Sequence, residues 1–159
     1  MDIDQQLEKL IEEAPEERGM PKVMEYAIAP ILKRIAQQLQ HQDYYILQNV
    51  EEKWQVTTLR HRQDENLKKR VIYAFPSLED AGTFAQHSDD PELMALPVPV
   101  ANILFELLAF DQVDSVIFFD ESGNYDNGTE IPRDKLQQLI REQLKKLKEK
   151  TEEPPANFA

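Results

Sequence analysis

Hydrophobic positions along the chain change period several times, and each change marks an element. Ile3, Leu7, Leu10 and Ile11 recur at helical spacing and form one stripe. The stripe stops in EEAPEERG (12–19), where Pro15 and Gly19 interrupt it, so residues 1–19 read as a helical arm and acidic linker. A second helical run starts with Pro21 in its first turn. Met24, Ile28, Ile31, Leu32, Ile35 and Leu39 form its apolar face. Pro30 lies inside that run and removes a backbone donor, which predicts a kink or break near Ala29.

Past His41 the helical spacing ends. YYILQNV (44–50) and KWQVTTLRH (53–61) are rich in β-branched and aromatic residues around Glu51-Glu52, which predicts a β-hairpin. VIYAF (71–75) follows as a third strand, and the three together predict an antiparallel meander. Ser77 and Asp80 have capping-box spacing and start a helix from Leu78 to about His87, with Leu78, Ala81, Phe84 and Ala85 inward. Pro97 and Pro99 confine LMALPVPV (93–100) to a sheet edge. ANILFELLAF (101–110) is helical, and SVIFF (115–119), apolar after its serine, is an interior strand. DESGNYDNGTE (120–130) reads as a loop with a turn at Asn127-Gly128. A last helix starts near Pro132 and carries Leu136, Leu139, Ile140, Leu144 and Leu147. The predicted plan is an arm and linker (1–19), an α+β domain (20–150) and a disordered tail (151–159). Its sheet is single, mixed and largely antiparallel, packed by helices.

Composition narrows the function. The chain has 159 residues, and its 41% hydrophobic content suffices for one core. No apolar run approaches the roughly 18 residues needed to span a bilayer. MDIDQQLEKL (1–10) is acidic and unlike a secretory signal, so a cytoplasmic location is expected. The net charge of −12 disfavours nucleic acid and anionic membranes as partners. Arg60, Arg62, Lys68, Lys69 and Arg70 form one basic cluster, read as charges guarding a sheet edge.

Candidate chemistry fails test by test. The lack of cysteine excludes disulfides, thiolate nucleophiles and cysteine-ligated metals. His41, His61 and His87 have no metal-ligand spacing. Asp120, Ser122, Asn124 and Asp126 alternate like calcium-loop ligands, but Tyr125 and Ile131 occupy the positions that need glycine and glutamate. No nucleophile elbow surrounds Ser122, and no phosphate loop is present. The expectation is no catalytic residues, no metal and no cofactor.

VIYAFPSLEDAGTF (71–84), LPVPVANILFELL (96–108), VDSVIFFDESG (113–123) and GTEIPRDKLQQLI (128–140) resemble, in pattern and order, the N-terminal domain of the SseB family. The likeness covers roughly residues 44–145. It departs after the last strand, where Asp120-Glu121 replaces the family's Asn-Pro pair. What the resemblance implies is an SseB-like α+β domain with an accessory or adaptor role and no catalytic residues. The resulting expectation is a non-enzymatic adaptor or assembly chaperone that holds a partner peptide or subunit on a sheet-edge groove. Tyr45, Trp54, Tyr73, Phe75, Pro97 and Pro99 are the candidate contacts. Two alternatives stand beside it: a small hydrolase using carboxylates of the 120–126 loop, and a homodimer that buries the first helix.

Overall fold

The computed structural model describes residues 1–64 and 66–152. Its first helix, α1 (Ile3–Glu13), opens on a reciprocal cap. The Asp2 carboxylate accepts from the Gln5 N–H, and the Gln5 side chain accepts from the Asp2 N–H. Where an arm was expected, α1 packs into the domain. Leu7 and Leu10 are buried with residues of three later helices, and Asp4 pairs with Lys33.

The second helical run is continuous but changes pitch. A 3₁₀ turn (Glu17–Gly19) leads into α2 (Met20–Val23), a π turn (Met24–Ile28) and α3 (Ala29–Ala36). The irregularity predicted near Ala29 therefore takes the form of a widened turn immediately before Pro30. The Ala29 N–H reaches back five residues to the Met24 carbonyl. Pro30 cannot offer the Tyr26 carbonyl the N–H an α-helix would supply, and Gln143 Nε2 donates to it instead at 3.2 Å.

A mixed six-stranded sheet forms the centre. Its strands are β1 (Asp43–Gln48), β2 (Thr57–Arg60), β3 (Lys68–Phe75), β4 (Met94–Pro99), β5 (Ser115–Phe118) and β6 (Thr129–Pro132). The spatial order is β4-β1-β3-β5-β6, with β2 also paired to β3. The expected meander does not form. β1 and β2 both pair with β3, through Tyr45–Phe75 and Ile46–Ala74 for one and Thr57–Val71 to Arg60–Lys68 for the other. Between them the chain leaves the sheet, tied back by the Gln48–Trp54 bridge. The turn in that excursion is local chemistry: Asn49 Oδ1 accepts from the Glu51 and Lys53 N–H groups, and Glu52 takes φ 64°.

β3 and β5 are parallel, joined through α4 (Leu78–Gln86), β4 and α5 (Val100–Ala109). β4 lies at an edge, as its prolines require, and β5 is interior. The region read as loop up to residue 130 contains the start of β6, which pairs with β5 from Phe118–Thr129 to Ser115–Pro132. α6 (Arg133–Glu152) follows directly. The expected disordered tail lies outside the described residues from position 153 onward.

The two sheet faces are covered unequally. Tyr44, Ile46, Ile72, Ala74, Val116 and Phe118 belong to the main core with α1, α3, α5 and α6. On the other face α4 lies over β4, β1 and β3. Its Ala81, Phe84 and Ala85 pack there with Leu47, Phe75 and Phe119. Leu78, expected inward, is 58% exposed at the first residue of α4.

Candidate functional site

α5 is the most apolar helix, and both of its ends are capped from elsewhere. Its N-cap is Pro99, which has no side-chain acceptor, and its last turn has no basic residue. Gln6, only 1% exposed, reaches in from α1. Its Oε1 accepts the Ala101 N–H at 3.0 Å, while its Nε2 donates to the Gln42 and Met1 carbonyls. At the other end Arg133 donates to the Leu107 and Leu108 carbonyls and to Asp111. This frame fixes where the sheet edge and the loops stand.

The 120–126 loop is held at two points. Tyr44 donates to Asp120 Oδ1 at 2.6 Å, and the His41 ring contacts the Asp120 carbonyl at 2.8 Å. Burial, then the bond to Asp120 and its negative charge, raise the Tyr44 phenol well above the ordinary tyrosine value. The second anchor is Asp80 in the first turn of α4, itself 4% exposed. It accepts from the Ser77 hydroxyl (2.6 Å), the Gly123 N–H (2.9 Å) and the Tyr125 hydroxyl (2.8 Å). Burial alone would push the Asp80 carboxyl upward. Hydrogen bonds from Ser77, Ser122, Tyr125 and the Gly123 N–H outweigh it and hold the group down at about 2. The same contact, added to burial, raises Tyr125. Two carboxylates of the loop are thus engaged locally, Asp120 by Tyr44 and Glu121 by Asn124.

Beside this loop the α4-side face of the sheet opens into a pocket of about 410 Å³. Tyr73, Ile117 and Phe119 line it from the sheet side, Phe84 from α4, and Tyr125 from the loop. Asp126 and Glu130 also line it. Tyr73 and Phe119 stack at 5.5 Å, with Phe84 edge-on to Tyr73 and Tyr125 edge-on to Phe119. Lys69 forms an ion pair with Glu130. Gly128 closes one side, where a Cβ would meet Ile117 Cγ2 at 2.6 Å. The glycine of the expected Asn-Gly turn is therefore required for space, since it does not adopt positive φ.

The six residues singled out from sequence fall in three places. Tyr73 lines the aromatic pocket, and Phe75 lies beneath α4, 1% exposed. Tyr45 pairs with Pro97 and Asp43 with Pro99 along the β1–β4 edge. Trp54 sits on the opposite face, edge-on to Phe110 in a cleft of about 750 Å³ that Glu52, Glu106 and Asp111 also line. Phe84, Phe119 and Tyr125 were not singled out. Phe84 and Phe119 read as core from their period, and Tyr125 reads as a defect in a calcium loop.

The fold class is α+β with a mixed sheet packed by helices. Comparison with known proteins finds no matching family model and no significant match among curated proteins. Among the described residues no helix is long and apolar enough to cross a membrane.

Proposed function

We propose that this domain is a protein-binding accessory module of the cytoplasm, an adaptor or assembly chaperone, that holds an extended partner segment along β4. The observation that supports it is the edge itself. β4 pairs with β1 on one side only among the described strands, and Met94 is 56% exposed on it. An edge strand offers unpaired backbone groups to an incoming chain. Pro97, exposed and unable to donate, limits how far such a strand extends and keeps the edge from pairing with copies of itself. Tyr45, opposite Pro97, supplies an aromatic surface next to the edge. The SseB-like order of segments 71–140 belongs to the same reading.

The test is affinity purification with the intact domain and with a Met94→Lys variant, which puts a lysine on the exposed edge and keeps Pro97. Met94 is exposed, so the fold is preserved, with circular dichroism as the check. Proteins retained by the parent chain and by Leu144→Lys, but lost by the edge variant, are the expected result. An unchanged set of captured proteins, or none captured by the parent chain, overturns the proposal.

A further inference from the structure

We infer that the aromatic pocket between α4 and the 119–128 segment is a binding site for an organic cation, either a guanidinium or a methylated ammonium. The site stands apart from the β4 edge, since the sheet strands that line it are β3, β5 and β6. Four aromatic rings line the corner, with Tyr73 and Phe119 near-parallel to each other on the sheet-side floor, Phe84 edge-on to Tyr73 and Tyr125 edge-on to Phe119. The faces of such rings carry negative potential and attract cations that shed water easily. Glu130 and Asp126 add formal negative charge at the same pocket.

The choice of a cation over an apolar ligand follows from those carboxylates. A neutral apolar group filling the pocket would strip water from Asp126 and from Glu130, which has Lys69 as its ion-pair partner, and return nothing for it. An anion would meet two carboxylates in a chain of net charge −12. A cation satisfies both rings and carboxylates. Glu130 already takes one ammonium, that of Lys69, which is not itself among the residues lining the pocket. Tyr125 is fixed as a wall through its hydroxyl on Asp80, and Gly128 keeps the floor clear. The volume of about 410 Å³ suits one side-chain-sized group rather than a folded partner surface.

The experiment is an aromatic-region NMR titration of the intact chain with three probes. Tetramethylammonium represents a free small cation, N-acetyl-arginine methylamide a basic side chain, and N-acetyl-citrulline methylamide the neutral isostere. Saturable shifts of the Tyr73, Phe119 and Tyr125 ring signals are expected with one or both cations, at affinities on the order of millimolar. Citrulline is expected to bind roughly tenfold more weakly, and Glu130→Gln to weaken cation binding roughly three- to tenfold. Preference for tetramethylammonium assigns the site to small quaternary cations, and preference for the arginine amide to a partner's side chain. Equal binding of citrulline, or no saturable shift with either cation, overturns the inference. Neither outcome touches the β4 proposal, which the edge-variant purification decides separately.

Discussion

Asp80 is a helix-cap residue that also holds a distant loop. Capping-box spacing made its link to Ser77 legible, because the two are three residues apart. Its bonds to Gly123 and Tyr125 cross more than forty positions and have no sequence signal. Asp80→Asn keeps the shape but turns an acceptor-only group into a partial donor facing two hydroxyls and an N–H. The expected cost at pH 7 is about 1–3 kcal/mol, measured by urea denaturation. Its pH dependence has a definite sign. The folded carboxyl sits at about 2, below the ordinary value, so its contribution is present above about pH 4 and lost as pH falls from about 4 to about 2. The stability gap between parent and Asp80→Asn should close across that window, and a gap independent of pH there contradicts this account. A second residue-scale expectation concerns Gly128. Alanine there must displace Ile117 or Phe119, so Gly128→Ala should shift the Phe119 and Tyr73 ring signals and cost about 1–3 kcal/mol.

Helix ends carry the argument at the scale of elements. The apolar stripe of α1 was legible, but the polar residue on its buried side was not singled out. Gln6 lies three residues after Ile3 and four before Leu10. What it caps was not legible, because Ala101 is ninety-five residues away. Gln6→Leu preserves volume and leaves the Ala101 N–H without its acceptor. It should cost about 2–3 kcal/mol in chemical denaturation, and a cost below about 0.5 kcal/mol refutes the capping role. The π turn before Pro30 gives a coupled pair. Gln143→Ala should cost about 0.5–1 kcal/mol with proline at position 30 and close to nothing in a Pro30→Ala background, where an N–H becomes available to the Tyr26 carbonyl. Additive costs in that cycle would show that Gln143 does not stand in for the missing donor.

Across the whole molecule the question is whether residues 1–13 are part of the domain. Leu7 and Leu10 are buried, and Gln6 caps α5, so α1 contributes core and polar satisfaction together. A chain lacking residues 1–13 should lose more stability than Gln6→Leu, at least about 4 kcal/mol, and should bind hydrophobic dyes. An unchanged melting temperature would make α1 the arm that its terminal position and charged linker imply.

Hydrophobic period, proline placement and capping spacing by themselves determined the α+β class, the edge place of the proline-containing strand, the interior place of SVIFF and the cap at Ser77. Each depends on neighbours within a turn or on how many faces a segment must bury. Tertiary structure decided the rest. β1 and β2 share one side of β3: the hairpin between them closes only at its tip, where Gln48 bridges Trp54 and the Gln55 N–H donates to the Leu47 carbonyl, and β2 itself pairs with β3. β6 exists because β5 offers it a partner, although its four residues end in proline. The aromatic pocket gathers residues 73, 84, 119 and 125, and only Tyr73 of these was singled out within its own segment. Local period reports which side of an element meets apolar surroundings. Which elements supply those surroundings depends on pairings between distant segments, and these are settled only when the chain closes.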